Sequence, residues 1–109
     1  MDRDVQVAER YDEWIRPRIR ALITDELVAE HERDPVGPHS DALERVLNYF
    51  RRRPIADKLA IVCTEPDRAW RVCRLADRPG AAPALVDDEV FDSELAAHHG
   101  VFLRRIRTL

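Results

Sequence analysis

The run Asn48-Tyr49-Phe50-Arg51-Arg52-Arg53-Pro54 sets two aromatic rings beside three guanidinium groups and closes on a proline. Arginines in such a row could pair with phosphates, bind carboxylates across an interface, or stand in water at a helix end, where the macrodipole favours them. The wider charge separates these readings. A net charge of −3 provides no field for a polyanion, so nucleic acid is the weakest of the three. Tyr49 stands out from its neighbours. Phe50 already serves the apolar face of a helix, so Tyr49 is expected to point partly away from it, as an exposed aromatic beside Arg51 at an interface.

The other reactive side chains do not form a constellation. Adjacent helical residues point about 100° apart, so His98 and His99 cannot share a face or a metal, and His31 and His39 have no ligand spacing. They read as surface or helix-packing histidines. Cys63 and Cys73, ten residues apart, fit no zinc or CxxC pattern, and Cys63 in an apolar strand reads as a small buried hydrophobe. Ser40 and Ser93 are better explained as helix caps than as nucleophiles. The acids Asp87, Asp88, Glu89, Asp92 and Glu94 lack the alternating ligand spacing and glycine of a calcium loop, and read as a solvated loop. Trp14 and Trp70 read as core or interface anchors.

These residues are carried on few elements. Residues 1–33 predict helix, with Val7, Tyr11 and Trp14 at i, i+4 and i+7 and with Ile15, Ile19, Leu22, Ile23 and Leu27 continuing the stripe. Pro17 predicts a kink, or a break with the helix restarting there. Residues 34–39 form a loop built around Pro35, Gly37 and Pro38. The helix that follows, capped by Ser40 or Asp41, buries Leu43, Val46, Leu47 and Phe50 and ends at Pro54. "DKLAIVCT" and "AWRVCRLA" predict a hairpin centred near Arg68, which makes Cys63 and Cys73 cross-strand neighbours. "DRPGAAPALVDDE" predicts a loop. A last helix, capped by Asp92 or Ser93, places Leu95, His99, Phe102 and Ile106 on one face.

The order α-α-α-β-β-α predicts an α+β fold: a small helical domain with a two-stranded antiparallel hairpin packed against helices. The 109 residues make a single domain, 1–109, whose core is the helix-hairpin-helix unit 40–109. Hydrophobic residues at 45% and charged residues at 36% suit a folded chain, and three glycines argue against glycine-rich phosphate loops. The acidic, polar start "MDRDVQVAER" has no signal-peptide core, and no apolar run reaches the roughly 18 to 20 residues of a membrane span. Both observations predict a cytoplasmic protein with reduced cysteines.

Two stretches carry a family resemblance. "LERVLNYFRRRPIADKLAIVCTEPDRAWRVCRL" and "DDEVFDSELAAHHGVFLRRI" resemble the core of the small (alpha) subunit of N,N-dimethylformamidase, over roughly residues 39–107. Asn48, Tyr49, Phe50, Arg51, Pro54, Glu65, Trp70 and Arg71 fit the family's first block. Phe91, Ser93, Glu94, Ala97 and the run Val101 to Ile106 fit its last and most specific one. The first strand departs from the tyrosine-rich strand of that family, with Leu59, Ala60, Ile61 and Val62 in its place.

The resemblance implies a non-catalytic accessory subunit of a heteromeric amidohydrolase, present in several copies. Its large catalytic subunit would hold a mononuclear iron, bound by tyrosine and glutamate, and hydrolyse a formamide to formate and an amine. No catalytic, cofactor or metal residue is expected in this chain. Tyr49, Arg51, Trp70, Arg104 and Arg105 are the expected contacts to the large subunit. The competing reading is a stand-alone interaction or regulatory module without enzymatic activity. Neither reading involves nucleic acid or membrane.

Overall fold

In the computed structural model, which describes residues 3–52, 58–76 and 78–109, four helices pack with a small antiparallel sheet. The elements are α1 (Arg3–Leu22), α2 (Asp25–Arg33), α3 (Asp41–Arg52), β1 (Leu59–Glu65), β2 (Ala69–Arg74), β3 (Ala84–Leu85) and α4 (Glu94–Ile106). The predicted α+β class and arrangement hold. The sheet has one more strand than expected, because Ala84 and Leu85 in the predicted loop pair with Arg74 and Cys73.

The first helix runs through Pro17, and the break falls later, between Leu22 and Asp25. There Thr24 takes an extended conformation and its hydroxyl accepts from the Leu27 amide at 3.1 Å, so a side-chain cap rather than the proline sets the boundary. The gap that Pro17 leaves in the backbone ladder is flanked by the Arg18 guanidinium, which donates to the Trp14 carbonyl. In α3 the amphipathic pattern is read as expected: Leu43 and Val46 are fully buried and Phe50 nearly so. Ser40 caps it, accepting from Leu43 N at 3.3 Å, and is itself held from α2 by Glu30, whose carboxylate accepts from Ser40 N at 2.6 Å and Ser40 Oγ at 2.7 Å. Arg53 and Pro54, expected to end this helix, lie outside the described residues, as does Asp57 ahead of the first strand.

The hairpin turn sits earlier than expected. Arg68 N donates to Glu65 O at 3.0 Å, with Pro66 fixing the second position and Asp67 taking the left-handed third position at φ 59°. The register pairs Cys63 with Trp70 and Cys73 with Ala60, with a bulge between Cys63 and Glu65. An odd slip in register moves a strand's residues to the opposite face, so the two cysteines are not cross-strand neighbours. Cys63 is exposed and Cys73 is buried, which also corrects the expectation of a buried Cys63.

The main core joins α1, α2, α3 and α4 through Ile19, Leu27, Leu43, Val46, Tyr49, Phe50 and Phe102. Only the second half of α1 contributes to it. Ile19 is buried and Ile15 and Leu22 pack against the cluster, whereas Val7, Tyr11 and Trp14 are exposed, so the apolar positions of α1 form two faces rather than one stripe.

Candidate functional site

An open cleft of about 820 Å³ lies between the hairpin and the helices. Leu59, Ile61, Cys63 and Trp70 line it from the sheet, while Phe50, Val101 and Phe102 line it from α3 and α4. Strand alternation explains the first set: Leu59, Ile61 and Cys63 fall two residues apart, and the register places Trp70 opposite Cys63 on the same face. Charge enters the cleft with Arg51, Arg105 and Glu94, and imidazoles enter with His31 and His98.

Of the five residues expected at an interface, the structure brings three together here: Arg51, Trp70 and Arg105. Arg51 sits near its own helix, donating to Asn48 Oδ1 at 3.1 Å, with Glu44 Oε2 at 3.8 Å from its Nη1. The other two lie elsewhere. Tyr49, expected to be exposed, is 8% exposed, and its hydroxyl donates to Asp12 Oδ1 at 2.6 Å, tying α3 to α1. The apolar face of α3 is wide enough to take both aromatics, whose rings meet edge-on at 5.5 Å. Tyr49 is therefore a core residue of this fold.

Arg104 closes a clamp on the acidic segment ahead of α4. Its Nε and Nη2 donate to Asp87 Oδ2 at 3.0 and 2.6 Å, Nη2 donates to Glu89 Oε1 at 3.0 Å, and Nη1 donates to Gly100 O at 2.9 Å. Burial works against its charge, but the bonds to Asp87 and Glu89 outweigh this and hold its pKa above the usual value. The same bond from Arg104 holds Asp87 below the usual carboxylate range against a smaller opposing burial effect. Arg71 adds a bond to the Asp87 carbonyl. The segment expected to be a solvated loop is thus fastened down. Phe91 exchanges two backbone bonds with Trp70, at 2.9 and 2.8 Å. Its ring crosses Gly100, where a Cβ would lie 2.3 Å from the ring edge.

Beside the cleft is a feature that the sequence reading missed. His31 of α2 and His99 of α4 are buried, with their Nδ1 atoms 2.8 Å apart. Phe102 stacks on His31 with ring centroids 4.0 Å apart, and His39 stacks on its side at 6.0 Å. Burial, helped by the neighbouring imidazoles, lowers the His31 pKa to about 4. Burial also lowers that of His99, against a smaller opposing pull from Glu32. Both rings are then neutral at pH 7, and one must donate Nδ1–H to the other's lone pair. The available signal was positional: His31 follows Leu27 by four residues on the apolar side of α2, and His99 precedes Phe102 by three on α4. As expected, adjacent His98 turns elsewhere, to the cleft and to Glu94 Oε1 at 3.8 Å.

Among the described residues, no three His, Cys, Asp or Glu side chains gather where they could hold a metal ion. Among the same residues, no helix is long and apolar enough to cross a membrane.

Residues 6–109 match the family described as N,N-dimethylformamidase alpha subunit. The N,N-dimethylformamidase alpha subunit of Paracoccus aminophilus is 38% identical over 115 residues, covering 96% of this chain and 77% of that one. The alpha subunit from an Alcaligenes species is 38% identical over 110 residues, covering 96% and 82%. With the match spanning nearly every element from α1 to α4, the chain belongs to the N,N-dimethylformamidase alpha subunit family.

Proposed function

We propose that this chain is the non-catalytic small subunit of a heteromeric amide hydrolase, and that the cleft is a docking face for the large subunit. The observation that carries the reading is the convergence of Arg51, Trp70 and Arg105 on one cleft, in a chain whose relatives are named alpha subunits. An apolar wall with a tryptophan, flanked by guanidinium groups, has the composition of interface hot spots. Trp70 gives large contact area at little entropic cost, and Arg51 can take a carboxylate through two parallel bonds.

The hydrolysis itself then belongs to the partner. Adding water across an amide carbonyl yields formate and an amine from a formamide, and a mononuclear iron in the large subunit supplies the Lewis acid. The residues of this chain hold the fold together and present the docking face. Its place is the cytoplasm, in an assembly with several copies of each subunit.

The test is to purify the tagged chain from its native cells, identify what accompanies it, and measure iron and formamide hydrolysis in the same sample. A stoichiometric large partner carrying iron and activity supports the reading. A lone, iron-free chain overturns it in favour of a self-standing interaction module. Within the complex, Arg51→Ala combined with Trp70→Ala is expected to weaken capture by the large subunit at least tenfold, with the helical circular-dichroism signal unchanged. Unaltered capture would move the docking face away from the cleft.

A further inference from the structure

The first half of α1 carries an exposed apolar face that no core cluster among the described residues covers. Val7, Tyr11 and Trp14 are 59%, 53% and 52% exposed, although together they present an aliphatic side chain and two aromatic rings. At about 100° per residue they lie within a narrow sector of the helix, roughly a quarter-turn away from the side that Ile15 and Ile19 bury in the core. Arg3, Arg10 and Arg18, all exposed, fall in the same sector or at its edge. Arg18 lies over the Trp14 ring, 4.0 Å from its centroid, and the Tyr11 and Trp14 rings are 6.0 Å apart. Position 4, an aspartate, falls at the edge of the same sector, whereas Glu9, Asp12 and Glu13 belong to the other sides of the helix, and Asp12 is occupied by Tyr49.

We infer that this face is a second docking surface, fitted to an apolar groove rimmed by carboxylates on the large subunit. The inference rests on the accessory-subunit reading and extends it to a surface separate from the cleft. Charge decides the occupant. Pairing two copies of this face would bring two sets of the same three arginines together with a single acid position, Asp4, in each, an excess of positive charge on both sides, because a two-fold interface presents the same patch twice. A groove edged with Asp or Glu would take Arg3, Arg10 and Arg18 as ion pairs, and would desolvate Tyr11 and Trp14 between them. An anionic lipid surface could attract the arginines, but the acids on the remaining sides and the net charge of −3 oppose it.

The experiment uses the full chain co-expressed with its large subunit, with the complex captured by a tag on the large subunit. Two variants are compared with the wild type: Tyr11→Ala with Trp14→Ala, and Arg10→Glu with Arg18→Glu. All four positions are exposed, so the melting temperature of the isolated chain is expected to stay within a few degrees of wild type. Both variants should lose at least tenfold in affinity, and raising the salt should weaken the wild type toward the charge-reversed level. Normal capture of both variants would overturn the α1 surface and leave the accessory-subunit reading standing. Failure of the wild type to be captured would overturn both. Self-association of the isolated chain that Trp14→Ala abolishes would assign the face to a second copy. Binding to vesicles containing phosphatidylserine that Arg10→Glu abolishes would assign it to a membrane. Either result sinks the proposal.

Discussion

Two polar constellations fasten distant segments onto α4, five residues apart, and they do it by opposite means. At His99 the bond to α2 is made by neutral rings, packed under Phe102 and hidden from water. At Arg104 the bond to the acidic segment is made by full charges, with its carboxylate partners still in contact with solvent. Burial alone favours the uncharged state, and that is what the histidine pair adopts. A guanidinium cannot give up its proton, so Arg104 is kept only by assembling acceptors around it. One helix thus uses packing where it faces the core and ion pairing where it faces the rim.

The sharpest way to break the comparison is to remove the shared apolar cover. Phe102→Ala should cost about 3–5 kcal/mol in urea unfolding, and the exposed His31 should titrate closer to an ordinary histidine by NMR. An unmoved His31 would show that the ring is not what keeps it neutral. Arg104→Ala comes next, at about 2–3 kcal/mol, because it leaves Asp87 beside Glu89 without the guanidinium that pairs with both. Its loss should shrink at high salt, whereas the Phe102→Ala loss should not.

Acid separates the two constellations without mutation. Both histidines have lowered folded-state pKa values, so the unfolded chain binds more protons as pH falls below about 6.5. Stability from the pair is therefore complete above that value and lost between about 6.5 and about 4, by at most about 3 kcal/mol for His31. Asp87 is also lowered, but from a carboxylate value, so the clamp is intact above pH 3.8 and fails only as pH falls further. Urea midpoints across this range should show two steps, and His31→Leu should shrink only the first, leaving the part that His99 contributes. The smallest effect is Tyr49→Phe, which deletes one bond to Asp12 and should cost about 1 kcal/mol.

What could be read from sequence followed from periodicity, and what could not followed from geometry between elements. Leu43, Val46 and Phe50 were legible because one helix face suffices to predict them. The Ser40 and Ser93 caps were legible because their chemistry is local. Tyr49 was misread because a wide apolar face shared among α1, α3 and α4 can take a second aromatic, and Asp12 lies far away in sequence. The cysteines were misplaced by an odd register slip, which one bulge and one left-handed aspartate produce. For the candidate site, Arg51, Trp70 and Arg105 were singled out by residue type, but their common cleft depends on where α3, α4 and the hairpin meet. The histidine pair needed both helices in place before either ring had a partner.

The sheet order β1-β2-β3 leaves β1 at an edge, with no strand among the described residues on its other side. Its bulge near Glu65 disturbs only the turn end, and Leu59 to Val62 run on as regular pairing with unbranched access to one more strand. The consequence concerns synthesis more than structure. If the proposed accessory role holds, a copy made without its partner carries an open edge and the exposed rings of Tyr11 and Trp14 at once, so its lifetime in the cell should depend on how soon it assembles. Matched production of the two subunits would then serve as a safeguard against aggregation, and surplus small subunit would be the form that proteases clear.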